Sequence, residues 1–150
     1  MTTHRSDAVV AGIMPDFAQA GVVLCRSAEF TTSDDSLISG DTLQMVPIPN
    51  DAKVLKVQVY YSALPGGTTG CDIGYGGDPD AFAATVPFTA VNTKEFPPDT
   101  LMNDVGFLHT FTADDTIDIT FPSAATKIPT SQCISMAVWY KMTGTLDDEE

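Results

Sequence analysis

Basic residues are scarce in this chain of 150 residues: seven lysines and arginines stand against 20 acidic residues, giving a formal net charge of −13 and a pI near 4.1. A surface of that sign repels phosphate backbones, which argues against direct nucleic-acid binding. The seven, Arg5, Arg26, Lys53, Lys56, Lys94, Lys127 and Lys141, are scattered and nowhere interleave with aromatics, so the sequence offers no nucleic-acid groove. Cysteine is equally sparse. Cys25, Cys71 and Cys133 are odd in number and too widely spaced for a zinc motif, so they are expected to remain thiols in a chain made in a reducing cytoplasm. No apolar run approaches membrane-spanning length, and no membrane partner is expected. The apolar stretch 8–14 is flanked by Asp7, Pro15 and Asp16 and does not read as a secretion signal. Histidine occurs only as His4 and His109, neither with a nearby partner pattern, and there is no Gly-x-Ser-x-Gly elbow. No catalytic, cofactor-binding or metal residue is therefore assigned.

What is present is alternation. Leu55, Val57, Val59 and Tyr61 alternate with Lys56, Gln58 and Tyr60; Ile117, Ile119 and Phe121 alternate with Thr116, Asp118 and Thr120. Ile134, Met136, Val138 and Tyr140 do the same against Ser135, Ala137, Trp139 and Lys141. Period two with one apolar face specifies half-buried strands. Further strands are expected over residues 22–30, 42–48, 69–75, 81–88 and 105–112, with turns at 33–36, 39–41, 49–51, 65–67 and 76–79. A short helix is a further option over 78–85 or 93–102, although Pro97-Pro98 interrupts the second. Seven or eight short strands with frequent turns point to an all-β chain with a single β-sandwich, jelly-roll-like.

Residues 1–20 depart from the alternation and are read as an N-terminal arm outside the sandwich, 21–144 as the sandwich domain, and 145–150 as an acidic, solvated C-terminal tail. The arm carries Val9, Val10, Ile13, Met14 and Phe17 without a sandwich partner; with Tyr60 and Trp139, apolar groups on otherwise polar strand faces, they form the candidate interface. The acids Asp72, Asp78 and Asp80 beside Gly74, Gly76 and Gly77 could hold calcium. Their spacing completes no EF-hand, and a glycine-rich reversal explains them as a structural turn.

The order of short segments is itself informative. Gly21-Val22-Val23 opens a strand that ends in Glu29-Phe30-Thr31; then come residues 40–49 (GDTLQMVPIP), 52–57 (AKVLKV), 71–82 (CDIGYGGDPDAF) and 111–120 (FTADDTIDIT). Over residues 21–143 this succession resembles a family of small tailed-phage virion proteins, the head decoration or cement proteins. The resemblance implies a jelly-roll-like subunit that assembles as a homo-oligomer, often a trimer, on the outside of the head shell. The partners it implies are further copies of itself and the major capsid protein. A tail, connector or fibre protein, a carbohydrate-binding module and a small hydrolase are the rivals.

Overall fold

In the computed structural model, residues 3–10, 22–32, 40–64, 70–96, 106, 108–121 and 131–143 are described. Among them run β1 (Thr3–Arg5), α1 (Asp7–Val10), β2 (Val23–Thr31), β3 (Thr42–Ile48), β4 (Ala52–Tyr61), β5 (Cys71–Tyr75), β6 (Asp78–Val86), β7 (Asn92–Phe96), β8 (Asp115–Thr120) and β9 (Cys133–Met142). The strands form two sheets, ordered β1-β3-β8-β5-β6 and β2-β9-β4-β7.

That order has a simple origin. β5 pairs with β6, β4 with β7, β3 with β8 and β2 with β9, all antiparallel, as in one long hairpin. Rolling the hairpin brings β4 against β9 and β8 against β5, which completes a sandwich with four hairpin strands in each sheet, and β1 adds a fifth strand beside β3. This is the jelly roll expected from the alternation. α1 is a single turn, and no described helix is long and apolar enough to cross a membrane.

Alternation fills the space between the sheets. Ile134, Met136, Val138 and Tyr140 of β9, Val57, Val59 and Tyr61 of β4, and Ile117 and Ile119 of β8 are all buried in one apolar cluster. At one end Tyr61 stacks on Phe88 with ring centroids 4.0 Å apart, and Phe88 meets Phe121 edge-on at 6.5 Å. Such offset and edge contacts add to the area the rings bury.

The structure corrects several expectations. The start of the presumed arm is part of a sheet: β1 adds to β3 in parallel, Ser6 is buried with its hydroxyl donating to the Met45 carbonyl, and His4 Nε2 lies 3.1 Å from the buried Asp41 carboxylate. Three residues are too few to show a period, so polar anchoring replaces alternation there. Neither optional helix forms over the described residues. Asp78–Val86 and Asn92–Phe96 are strands at sheet edges, where Pro79 is tolerated because one side of the ladder needs no donor. The strand expected over 105–112 does not form over the described residues of that range. Leu108 has φ 62°, and the segment meets β4 through the Lys53–Thr110 bridge and through Leu108 N–H donating to the Val54 carbonyl at 3.1 Å. Leu55 is only half-buried, because a bulge between Val54 and Lys56 lets both Val54 and Val57 face the core.

The β5–β6 reversal also differs in its cause. Among the described glycines the left-handed region is entered at Gly40, φ 89°, rather than at Gly74, Gly76 or Gly77. Gly74 is required by close approach instead: a Cβ there would lie 2.1 Å from the Asp78 carbonyl oxygen and 2.3 Å from the Pro79 carbonyl carbon. Both are backbone atoms and cannot swing aside. Gly74→Ala is accordingly expected to lower stability by about 1–3 kcal/mol through overpacking; a chemical-denaturation midpoint equal to that of the parent protein would contradict this.

Candidate functional site

The outer face of the β2-β9-β4-β7 sheet gathers the residues with the most to offer a partner. Register fixes its rows: Val23, Lys141 and Lys53 lie side by side across β2, β9 and β4, and Cys25, Trp139 and Lys56 form the next row. Two rungs on, Glu29, Ser135, Tyr60 and Thr93 span all four strands. Alternation of buried and half-buried residues along β9 turns Ser135, Ala137, Trp139 and Lys141 outward, each of the first three between two buried neighbours.

Local contacts organise this face. Lys56 Nζ sits 4.7 Å from the centroid of the Trp139 ring and 3.1 Å from Glu95 Oε1, while Gln58 Nε2 donates to the same Glu95 oxygen at 2.6 Å. A cation over an indole face is favourable even where water reaches it. Between Trp139 and Tyr60 the small side chains of Ser27, Ser135 and Ala137 leave a shallow hollow, bordered by Gln58 and Thr93. Tyr60 is exposed and Trp139 half-buried.

Register therefore places Tyr60 and Trp139 on one face. Of the candidate residues before β2, Val9 is half-buried and Val10 is 72% exposed in α1, which packs against β2 and β3; Ile13, Met14 and Phe17 lie outside the described residues. What the sequence concealed is the lysine group. Lys53 and Lys56 share β4 whereas Lys141 lies far along the chain on β9, and the pairing of the two strands brings the three together beside Trp139. The lone tryptophan on a partly polar strand was the available signal.

The acids beside the glycines do different work. Asp72 Oδ1 accepts the Thr85 N–H at 2.8 Å, where Thr85 takes a φ of 57°. Asp78 has its carboxyl raised from the usual range, first by partial loss of solvent and then by hydrogen bonding to Asp80. Among the described residues no three of His, Cys, Asp and Glu converge as a metal site. His109 stacks on Tyr75 at 4.6 Å and meets Phe111 edge-on at 5.0 Å, a packed rather than a free imidazole. All three cysteines are free; burial, then the charge of Asp72, pushes the Cys71 thiol up to about 12, whereas Cys25 is exposed.

On the opposite sheet, Asp118 lies between Gln44 and Gly74 on the neighbouring strands and is buried. Thr116 Oγ1 donates to its Oδ1 at 2.5 Å. Loss of solvent raises its carboxyl to about 7 against the partial relief of the Thr116 bond, and Asp115 adds to the rise.

The same sandwich occurs in solved structures. A chain of the capsid of Ralstonia phage GP4 superposes with a TM-score of 0.76 over 95% of this chain and 99% of its own, at 17% identity. The fold is shared end to end. A chain of the cyanophage Pam1 capsid gives 0.62 over 87% and 91%, and one of the acid-stable capsid of Helicobacter pylori bacteriophage KHP30 gives 0.56 over 84% and 92%, each at 17% identity. No family model matches the chain, and no curated protein matches it. At such identities the fold persists while side chains have diverged, so the lysine–tryptophan face has to be read from this chain's own residues.

Proposed function

We propose that the protein is a non-enzymatic head-decoration, or cement, subunit of a tailed phage, acting as a homo-oligomer, most simply a trimer, on the outer surface of the head shell. The observation that carries this reading is the extent of the likeness: one small jelly roll, with almost nothing left over on either side, matches a whole chain of a phage capsid. A single sandwich of this size adds to a particle by its surfaces, and this one offers two. One is the sheet face with Tyr60, Trp139, Val23 and the lysines; the other is the side where α1 meets β2, with Val10 and Val22 exposed.

The mechanism is mass action. A subunit that binds the assembled shell of major capsid protein, and not its separated pieces, shifts the equilibrium toward assembly according to its concentration and affinity. Several linked copies must release every contact to leave, which lengthens residence without any single strong contact. The strongly acidic remainder of the surface keeps free subunits apart until a complementary surface meets them. A saccharide-binding platform is the second reading, favoured by the hollow beside Tyr60, where a sugar ring could stack and bond to Gln58, Ser135 and Thr93.

Imaging of particles from cells that make this chain tests the proposal. Density for closed oligomers of the jelly roll on the head exterior is the expected result, and heads lacking the chain should disassemble at lower temperature. Density confined to the tail or connector, or heads equally stable without it, would overturn the reading. Glycan-array binding abolished by Tyr60→Ala, with no head density, would support the second reading in its place.

A further inference from the structure

Among the described residues the two sheets end in the edge strands β1, β6, β2 and β7, and all but β2 carry a device that discourages further pairing. β1 is only three residues long. β6 contains Pro79, shifts register twice against β5, and has its Thr85 N–H taken by the Asp72 carboxylate. β7 has five residues, and the Thr93 N–H is taken by the side chain of Asn92. Shortness, proline, bulges and occupied donors keep an edge from pairing with another chain. β2 has none of them: it runs nine residues without proline and meets β9 rung for rung with no register shift.

The bonds of β2 to β9 fix which groups face the free edge. Thr32 N–H donates to the Gln132 carbonyl at 2.9 Å, one rung beyond Thr31 and Cys133. Bonded rungs alternate in an antiparallel ladder, so Leu24, Arg26, Ala28 and Phe30 turn their backbone groups to β9 while Val23, Cys25, Ser27, Glu29 and Thr31 turn theirs away. A two-fold axis at Ser27 sets these outward residues of two copies face to face: Ser27 with Ser27, Cys25 with Glu29, Val23 with Thr31. On the core side the same register sets Leu24 against Phe30 and Arg26 against Ala28. Leu24 and Phe30 pack on the core yet remain only partly buried, so each gains an apolar neighbour. An axis at Arg26 would instead set two arginines directly opposite each other, and one at Ala28 would set Arg26 against Phe30.

We propose that β2 is a self-pairing edge: two copies of the chain align β2 antiparallel about a two-fold axis at Ser27 and join their β2-β9-β4-β7 sheets into one continuous sheet. Main-chain hydrogen bonds supply the attraction and the alternate side chains fix the register. The contact is isologous, the same strand on both sides, so it goes beyond the trimer proposed above and links a subunit of one closed oligomer to a subunit of the next. Exposed Val22 and Val23 extend the apolar strip at the start of the strand.

Cys25 is free and exposed, which makes the register testable in the full chain. Glu29→Cys puts a thiol opposite Cys25 of the second copy, on a bonded rung whose Cα separation of about 5.5 Å suits a disulfide. Within one chain positions 25 and 29 lie about 13 Å apart and cannot be bridged. Mild oxidation should therefore yield covalent pairs, mapped to Cys25 and position 29, at least about tenfold faster than in the parent protein or in Glu29→Cys/Cys25→Ser, because pairing holds the two thiols at high effective concentration. Adding Ser27→Pro should abolish the gain while the subunit still melts cooperatively, since that N–H points away from β9. Adding Ser27→Lys, which leaves the backbone intact and sets two ammonium groups opposite each other at the axis, should do the same. Cross-linking no faster than in the parent, unaffected by Ser27→Lys, or mapped to other positions would overturn the proposal. So would a bond from position 29 to a shell protein in place of a second copy. Head binding is a separate readout: its absence with cross-linked pairs intact would count against the decoration role alone.

Discussion

Tyr61→Ala is expected to lower the unfolding free energy by about 3–5 kcal/mol, the cost of removing a large buried ring together with the cavity it leaves. Tyr61 is fully buried at the end of β4, and its ring stacks on that of Phe88, which in turn packs edge-on against Phe121. These three residues come from β4, the segment after β6 and the residue after β8, so the cluster ties both sheets together. Loss of one ring also strands the contacts of the other two. Domains of this size have total stabilities of about 5–15 kcal/mol, so the variant should lie near the threshold of folding at 37 °C. Urea unfolding monitored by Trp139 fluorescence gives the measurement. A loss below about 1 kcal/mol would show that the end of the sandwich relaxes and refills the cavity.

Asp118→Asn should stabilise the protein at pH 8 by about 2–4 kcal/mol and leave it nearly unchanged near pH 4. The sign follows from the carboxyl's rise from 3.8 to about 7 on folding, caused first by loss of solvent. Between those values the folded protein holds a proton that the unfolded chain has lost. The contribution to stability is therefore complete below about 3.8 and disappears as pH rises through 7. Above that the buried carboxylate is charged, with one hydroxyl from Thr116 against the repulsion of Asp115. Asparagine removes the charge and can still accept from Thr116. Parallel denaturation at the two pH values is the check; an equal effect at both would remove Asp118 as the cause.

Strands with one wet and one dry face were legible in the sequence because burial writes a period of two into them. β3, β8 and β9 lie within a residue or two of their expected limits. β7 was not legible: Asn92–Phe96 carries one buried aromatic, which suffices at a sheet edge but leaves no apolar period. At β6, Asp78-Pro79-Asp80 resembles a turn, yet the chain there is already a strand, paired with β5 and passing closely over Gly74. Leu108 shows the converse failure, an apolar residue with strand-like neighbours in a conformation no regular strand allows. The lysine–tryptophan face depends on the register between β4 and β9, and that register is shifted by the bulge at Leu55. Alternation identifies which residues face outward but carries no information about which strand lies alongside.

The rolled hairpin also sets when the protein can become complete. Its innermost pair, β5 with β6, joins neighbours in sequence, but the outermost, β2 with β9, joins segments whose flanking residues Thr32 and Gln132 are one hundred positions apart. β9 also sits between β2 and β4, so until it arrives neither has its central partner. Contacts of such long range make folding slow and late. A chain interrupted anywhere before β9 has no route to a closed sandwich and presents open strand edges instead. Synthesis thus has to reach β9 before any jelly roll exists, and only a chain that includes it can present the closed faces of the sandwich.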